Sequence, residues 1–144
     1  MKTRRNHIID NSKGFTLIEL IVVMVILGLL ATLVGPRIFG KVEKAKYNAT
    51  KTEIEMLGQA LDLFRLDVGR YPSTEEGLQA LREDPGIEDL WDGPYLKKAV
   101  PTDPWKNEFH YQSPGDHGDY DLYSYGADNS SGGEGEGKDI LSWE

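Results

Sequence analysis

Residues 13–34 read KGFTLIELIVVMVILGLLATLV, and this stretch decides the fold. From Phe15 to Val34 it contains twenty residues, and Glu19 is the one charged side chain among them. As an α-helix, twenty residues reach about 30 Å, which matches the hydrocarbon thickness of a bilayer. The stretch therefore predicts a helix that is inserted in a membrane.

A cleaved secretory signal peptide is the alternative interpretation of the same stretch. Signal peptides combine a basic start with an apolar stretch of ~7 to 15 residues and small residues at the cut. The small residues are poorly placed here, because Ala31-Thr32-Leu33 ends in leucine and Gly35 is followed by Pro36. A lasting membrane helix is therefore favoured. Charge does not orient it, because basic residues are about equally dense on its two sides.

Composition limits the classes of protein that the chain can belong to. Its 144 residues, 39% of them hydrophobic, fit one modest globular domain with an appendage. The formal net charge is -8, and the basic residues of the first 14 positions leave the remaining body more acidic still. An acidic body does not suit phosphate binding, so no nucleic acid is expected as a partner. The chain has no cysteine, which excludes a thiol nucleophile, a Cys-ligated zinc site and a disulfide framework.

Helix-forming residues continue beyond the apolar stretch. Gly35-Pro36 is expected to loosen or kink the helix, because proline removes a backbone donor and clashes with the preceding turn. From Lys41 to Val68 the sequence again favours helix. Apolar residues recur there at spacings of 3, 4, 3 and 4, namely Ile54, Leu57, Leu61, Phe64 and Val68. This stripe predicts the core of a soluble body rather than a coiled-coil seam or a cofactor groove.

Shorter elements are predicted after this helix, which Gly69 and Pro72 end. Ser73-Thr74-Glu75-Glu76 has the form of a capping box, so a short second helix is predicted through about Leu81 or Arg82, with two leucines facing inward, Leu78 and Leu81. Turn signals then separate two candidate strands, Phe109–Gln112 and Tyr120–Ser124, which are expected to pair as an antiparallel hairpin. Large side chains would supply much of the packing: Tyr111, Tyr120, Leu122, Trp91, Trp105 and Trp143.

Two histidines and several carboxylates raise the possibility of catalysis. The histidines are His110 and His117. The segment Asp116-His117-Gly118-Asp119 could form an acid/base or metal cluster. A solvated hairpin turn explains the same residues with fewer assumptions. The sequence contains no nucleophile elbow, phosphate loop or His-Glu-x-x-His helix, so a structural protein is favoured over an enzyme.

The acidic, glycine-rich segment 128–139 permits two interpretations. Glycine loses more backbone entropy on folding than other residues, so the segment is costly to order unaided. Apolar residues bound it on both sides, which suggests that its ends are packed. A Ca²⁺ ion would reconcile these facts, since it takes ~6 to 8 oxygen ligands and glycines let carbonyls turn inward. The EF-hand spacing is missing, and on the residues alone a flexible surface loop remains open beside the calcium-binding loop.

The segment Lys13-Gly14-Phe15-Thr16-Leu17-Ile18-Glu19 resembles the cleavage site of the type IV pilin and pseudopilin superfamily. The resemblance implies that a prepilin peptidase cuts between Gly14 and Phe15 and methylates the new amino terminus. It places the leader in the cytoplasm and the carboxyl end outside. It also implies that Glu19 neutralises the terminal amine of an adjacent subunit. The alternative is an interfacial glutamate that reaches toward water or takes up a proton; as an ion in hydrocarbon it would cost about 2.5 to 3.5 kcal/mol at a helix centre.

Three further segments, in this order, resemble the major pseudopilins of type II secretion systems: Arg70-Tyr71-Pro72-Ser73-Thr74-Glu75-Glu76-Gly77-Leu78, Pro101-Thr102-Asp103-Pro104-Trp105, and Tyr120-Asp121-Leu122-Tyr123-Ser124-Tyr125-Gly126-Ala127-Asp128. The implied fold is α+β, with a long amino-terminal helix, half transmembrane and half amphipathic, packed on a small antiparallel sheet with a calcium-binding loop. The resemblance implies a structural Ca²⁺ held by Asp128 and Asp139. Main-chain oxygens near Tyr125 and from Ser130 or Ser131 would complete the ligands.

The same resemblance implies a domain plan and a function. Residues 1–14 would be a cleaved leader, 15–35 the transmembrane and assembly helix, and 36–144 a periplasmic domain, single-pass in the inner membrane of a Gram-negative bacterium. The subunit would polymerise into a pseudopilus that moves folded proteins through an outer-membrane secretin. Its other implied partners are minor pseudopilins, the prepilin peptidase and an inner-membrane assembly platform with a cytoplasmic ATPase. A type IV pilin of a surface filament and a lone membrane-anchored domain are the alternatives.

Overall fold

The computed structural model describes residues 14–87 and 89–144 of the chain. The predicted leader, residues 1–14, lies outside the described residues except for Gly14. The chain divides between Phe39 and Gly40 into two compact units. The cut after Gly14 and the domain boundary at residue 36 stay predictions.

Helix α1, Leu17–Val68, contributes to both units. In the first unit every large apolar side chain from Leu17 to Val34 is exposed. An 18-residue window of α1 reaches a mean hydropathy of 2.9 with none of its residues buried. Among the described helices, α1 is the one long and apolar enough to cross a membrane. An apolar surface on all sides of a helix suits hydrocarbon better than water, which supports membrane anchoring.

In the second unit α1 is amphipathic and supplies the core. The predicted stripe is confirmed, because Ile54, Leu57, Leu61 and Phe64 are buried. Val68, at the end of the stripe, is partly buried against the same core. Most residues between the stripe positions are exposed, as Leu66 is to 79%, whereas Ala60 beside Leu61 is buried with the stripe. The period of 3.6 residues per turn thus places one face of the helix against the rest of the unit.

The second helix differs from the prediction in type and length. It is a 3₁₀ helix of four residues, Leu78–Leu81, whose leucines are buried as expected. The capping box is present, since Ser73 N donates to Glu76 Oε2 at 2.7 Å and Glu76 N donates to Ser73 Oγ at 3.2 Å. The turn that it caps stops at Gly77, where φ is 59°. A left-handed residue ends the α-helical path, so the leucines continue in a separate tighter turn.

Three short strands form an antiparallel sheet in the order β1-β2-β3: β1 His110–Gln112, β2 Asp121–Ser124 and β3 Ile140–Leu141. His110 lies opposite Tyr123, and Ser124 lies opposite Ile140. The predicted hairpin is therefore confirmed, with each strand beginning one residue later than expected. Strand β3 was not predicted, because two residues are too few to show an alternating pattern.

Aromatic packing only partly follows the expectation. Leu122 is completely buried, and the predicted tyrosines together with Trp91 and Trp105 are partly buried against the core. The prediction was wrong for Trp143, which remains 36% exposed and stacks on His117 at a centroid distance of 4.2 Å. Trp143 follows the last strand, so no further element covers it among the described residues.

Replacing Leu61 by Ala should lower the free energy of unfolding by about 2–5 kcal/mol, because the side chain is completely buried on the stripe. Leu66→Ala is the matched control on the same helix, and it should change that free energy by less than about 0.5 kcal/mol. Urea unfolding of the two variants measures the difference. Equal losses would contradict the assignment of the buried face.

Candidate assembly and cation-binding sites

Glu19, the one charged residue of the apolar stretch, caps the start of its own helix. Its Oε2 accepts hydrogen bonds from Thr16 N at 2.8 Å and from Thr16 Oγ1 at 2.9 Å, and Glu19 N donates back to Thr16 Oγ1 at 3.3 Å. This reciprocal pattern is a capping box, which satisfies backbone donors that the first turn of a helix leaves free. The sequence Thr-x-x-Glu therefore fixes both the start of α1 and the position of its carboxylate.

The cap leaves part of the carboxylate free. Among the hydrogen bonds of the described residues, none goes to Oε1 of Glu19. The neighbouring Phe15 is 90% exposed. In hydrocarbon such an oxygen favours a cationic partner, because an unpaired charge there is costly. The Glu19 carboxylate thus caps its own helix through Oε2, while Oε1 can still accept a hydrogen bond from another group.

The glycine-rich segment 126–139 is ordered around two carboxylates. Asp128 Oδ1 accepts a hydrogen bond from Ser130 N at 3.1 Å, and Asp139 Oδ2 accepts one from Gly132 N at 2.9 Å. Two short 3₁₀ turns lie in the segment, Gly126–Asp128 and Gly135–Gly137. Asp128 thereby holds the turn that follows it, and Asp139 joins the end of the loop to its middle.

Two glycines lie in close contact with main-chain oxygens of the loop. Gly126 has a φ of 70°, and a Cβ atom there would lie 2.6 Å from the carbonyl oxygen of Glu136 and 2.9 Å from that of Lys138. Gly133 has a φ of 102°, and its Cβ would meet the carbonyl oxygen of Gly137 and Asp128 Oδ2. A side chain at either position would collide with these oxygens.

The donor set fits a hard cation that main-chain oxygens help to hold. Within residues 14–87 and 89–144, no three His, Cys, Asp or Glu side chains cluster as a metal site would require. Side chains alone therefore do not supply enough ligands to hold a metal ion. However, Asp139 Oδ1 is buried without a hydrogen-bond partner among the described residues, and Asp128 Oδ2 and the carbonyl oxygen of Gly137 both lie close to Gly133. Carboxylate and carbonyl oxygens are the ligands that Ca²⁺ takes, and a buried unpaired carboxylate oxygen favours a cation nearby.

The predicted ligands are only partly brought together. Asp128 and Asp139 both contact the Gly132-Gly133 turn. Ser130 binds Asp128, with its N donating to the carboxylate and its Oγ donating to the main-chain oxygen of Asp128 at 3.2 Å. The Tyr125 hydroxyl donates to that of Tyr123 at 3.5 Å, and Ser131 is exposed; the main-chain oxygens near these two residues stay predicted ligands. The carbonyls of residues 136–138 were missed, because carbonyl direction depends on backbone angles that side-chain identity does not reveal.

A buried network attaches the loop to the segment 101–107. Ser124 Oγ donates to Asp103 Oδ2 at 2.6 Å and accepts from Gly126 N at 3.1 Å. Asn107 Nδ2 donates to the carbonyl oxygen of Gly126 at 2.8 Å. Asp103 is 3% exposed. Burial of the Glu53 carboxyl on α1, together with the negative charge of Asp103, raises the pKa of Glu53. The Pro-Thr-Asp-Pro-Trp segment therefore positions the first residue of the loop.

The other side of the loop contacts α1 within the second unit. Lys46 Nζ lies 3.6 Å from Glu136 Oε1, and Lys138 Nζ lies 5.8 Å from the ring centroid of Tyr47. A Cβ atom at Gly135 would lie 3.0 Å from Glu43 Oε1. These contacts place the loop against the stretch of α1 that follows the boundary between the units.

The candidate acid/base cluster is a carboxylate-capped turn. Asp121 is 4% exposed and accepts hydrogen bonds from His117 Nδ1 at 2.9 Å, Asp116 N at 3.0 Å and His117 N at 3.2 Å. Burial favours the neutral acid, but these hydrogen bonds outweigh it and hold the pKa of Asp121 below its usual value of 3.8. Its oxygens therefore hold the turn between β1 and β2, which supports the structural interpretation of this segment.

Asp121→Asn should destabilise the chain at neutral pH, and the difference from the native protein should shrink as the pH falls below about 3.8. The folded pKa is lowered, so the contribution of the ionised form is complete above the unfolded value and is lost as the pH falls through the folded one. Urea unfolding at a series of pH values measures the difference. Asp116→Asn is the control, because the Asp116 side chain is exposed and its replacement should cost less than about 0.5 kcal/mol.

Comparison with known proteins gives consistent relatives over nearly all of the chain. Residues 37–143 match the family model described as type II secretion system protein G, and residues 9–35 match the prokaryotic N-terminal methylation motif. The type II secretion system core protein G of Vibrio cholerae is 46% identical over 133 residues, which cover 90% of each chain. That of Pseudomonas aeruginosa is 46% identical over 136 residues, covering 91% of this chain and 94% of the relative.

A solved structure extends the similarity to the fold. The crystal structure of the major pseudopilin from the type 2 secretion system of enterohaemorrhagic Escherichia coli superposes with a TM-score of 0.60 at 34% sequence identity. The superposition covers 72% of this chain and 91% of that one. The long amino-terminal helix and the small antiparallel sheet are thus an arrangement that both chains share.

Proposed function

The chain belongs to the type II secretion system protein G family, and we propose that it is the major structural subunit of a secretion pseudopilus. The observation that carries the proposal is α1 itself. One part of this helix is apolar on all sides and begins with a capped carboxylate, and the other part is the core element of a folded domain. A membrane-held monomer that polymerises through its helix needs both properties in one element.

Several features of the secretion role are proposed on the same basis. The folded domain lies in the periplasm, and the apolar helix is held in the inner membrane until assembly. The filament contains minor pseudopilins and grows on an inner-membrane platform with a cytoplasmic ATPase, below an outer-membrane secretin. The prepilin peptidase cuts between Gly14 and Phe15 and methylates the new amine. The similarity to pseudopilins favours this filament over a surface pilus.

The subunit has a structural role in the filament. The one reaction proposed for it is processing by the prepilin peptidase. The turn that could have been an acid/base site is held by a carboxylate whose hydrogen bonds go to His117 and to the backbone of the turn. The named relatives are secretion core proteins, which is consistent with a structural rather than a catalytic role.

Glu19 would provide the longitudinal register of the filament. After cleavage, the Phe15 amine carries a positive charge that needs a partner in hydrocarbon. Oε2 of Glu19 is engaged by its own Thr16, so Oε1 remains for the amine of a neighbouring subunit. A pairing of this kind can be satisfied only at one vertical step between subunits. It would therefore set the register as well as neutralise both charges.

Glu19→Gln separates the two roles of this residue. Glutamine can still accept the hydrogen bonds of Thr16, but it carries no charge. If pairing with the amine drives assembly, both Glu19→Gln and Glu19→Ala should lose filaments, and their intact mass should still show loss of residues 1–14 and gain of one methyl group. Filament yield by electron microscopy and intact mass spectrometry of membrane extracts measure the two outcomes.

The contrary results are distinct for processing and pairing. Filaments of Glu19→Gln at the native level would show that the cap suffices and would refute the charge pairing. An untrimmed native chain in cells that contain the peptidase would refute the processing. Thr32→Val is the control, because Thr32 Oγ1 binds only the carbonyl of Leu29 in its own helix. It should be trimmed and should assemble like the native chain.

Calcium is proposed as the structural ion of the loop 126–139. Asp128 and Asp139 would hold it with main-chain oxygens of Glu136, Gly137 or Lys138, and those near Tyr125, Ser130 and Ser131 remain candidates. Two observations support this proposal. Asp139 Oδ1 is buried and has no hydrogen-bond partner among the described residues, and the main-chain oxygens of residues 136–138 lie close to Gly126 and Gly133. When bound, the ion would supply positive charge that neutralises the two carboxylates. In a cysteine-free domain of this size it would replace a covalent staple.

The native chain should gain stability in calcium. For a Kd of ~10⁻⁴ M, 10 mM Ca²⁺ is about 100 times Kd and would add about 2.7 kcal/mol to the free energy of unfolding. Asp128→Asn and Asp139→Asn should abolish most of this gain. Glu134→Gln is the matched control, because Glu134 is exposed in the same loop. Thermal unfolding in calcium or in chelator measures the gain, and an equal gain in all four proteins would refute this site.

A further inference from the structure

The outer face of the sheet carries a set of aromatic side chains in mutual contact. In β2, Leu122 and Ser124 are buried, whereas Tyr123 on the opposite face is half-buried, as is Tyr125 directly after the strand. Tyr123 contacts three further rings, with centroid distances of 5.1 Å to His110, 5.1 Å to Tyr125 and 5.9 Å to Trp143. Stacking of Trp143 on His117 extends this set to five rings, named here the aromatic face.

Stabilisation of the sheet explains only part of the aromatic face. Tyr123 and His110 are a directly opposed cross-strand pair, and such pairs stabilise short strands. Trp143 lies beyond the last strand, remains 36% exposed, and stacks on a His117 side chain that is 51% exposed. Neither residue covers the core. Tryptophan and tyrosine in such half-exposed positions are typical of protein interfaces, where they are the commonest hot-spot residues.

The charges around the aromatic face indicate the chemistry of its partner. The two stretches that build it, residues 107–125 and 139–144, contain six acidic side chains, and two lysines adjoin them in the sequence, Lys106 and Lys138. Asp119 is paired with Arg65, and Asp121 is satisfied by its own turn. Three of the others are exposed, namely Glu108, Asp116 and Glu144. An apolar partner would bury these carboxylates without compensation, whereas a cationic one would pair with them.

Aromatic rings favour the same kind of partner. The face of an aromatic ring carries negative potential, so a cation above it is attracted. Arginine suits this surface better than lysine, because its planar guanidinium stacks on rings and also forms two hydrogen bonds with a carboxylate. We propose that the aromatic face is a docking surface for an arginine-bearing segment of another protein.

The test measures binding of a dye-labelled octa-arginine peptide to the full chain in non-ionic detergent, by fluorescence anisotropy at about 0.15 M salt. Trp143→Ala removes one ring without changing charge, and it should weaken binding about twofold to fivefold. Trp143→Phe should lie between this variant and the native chain. Leu66→Ala, an exposed apolar position on α1, is the matched control and should bind like the native chain.

Charge is tested separately from the rings. The pair Glu108→Gln with Glu144→Gln should also weaken binding, and the pair Glu55→Gln with Glu75→Gln, on other exposed positions, should weaken it less. Octa-lysine should bind less tightly than octa-arginine. If Trp143→Ala disturbs folding, judged by thermal unfolding, the phenylalanine variant and the carboxylate pairs carry the test.

Three results would overturn the proposal. Equal binding by Trp143→Ala, Trp143→Phe and the native chain would mean that only the general acidity of the protein attracts the peptide. Equal binding of octa-glutamate would mean that the attraction is not electrostatic. Self-association in the ultracentrifuge that Trp143→Ala abolishes would assign the surface to a second copy of this chain.

Discussion

One helix has to satisfy two solvents, and the rest of the molecule follows from this constraint. In its first part α1 has apolar side chains on every side, which is stable only where water is absent. In its second part a single stripe is buried, and the other faces are polar or exposed. The small domain exists because that stripe requires a covering surface. The three short strands, the 3₁₀ helix and the turns that join them provide it.

Carboxylates, rather than disulfides or a large core, hold the non-helical part of the domain. Asp103 joins the segment before β1 to the last residue of β2, and Asp121 holds the turn between these strands. Glu76 caps the turn before the 3₁₀ helix, and hydrogen bonds from Arg70 lower the pKa of Glu76 to about 2. Each carboxylate accepts backbone or charged donors that irregular segments would otherwise leave unpaired. The negative composition of the domain is therefore partly structural.

The sequence was most informative where a period or a motif covered several residues. The apolar stretch, the stripe from Ile54 to Phe64 and the β1-β2 hairpin could be predicted, because each repeats a side-chain pattern over several positions. The type of the 3₁₀ helix could not, since it depends on the left-handed backbone at Gly77. The main-chain oxygens close to Gly126 and Gly133 could not be predicted either, because their positions depend on backbone angles. The role of Asp103 could not be predicted because its partner Ser124 lies 21 residues further along the chain. Glu19 was recognised as a carboxylate in an apolar segment, but its cap on Thr16 appeared only in the structure.

The contact of the loop with α1 joins segments that lie nearly a hundred residues apart. Lys46 meets Glu136, and Ser142 N donates to the carbonyl of Leu122 at 2.9 Å while its Oγ accepts from Leu122 N. Residues 136–142 are thus part of the folded domain. Contacts between distant segments form late and slow folding. The domain would consequently stay incomplete during synthesis until residues 136–142 had been added.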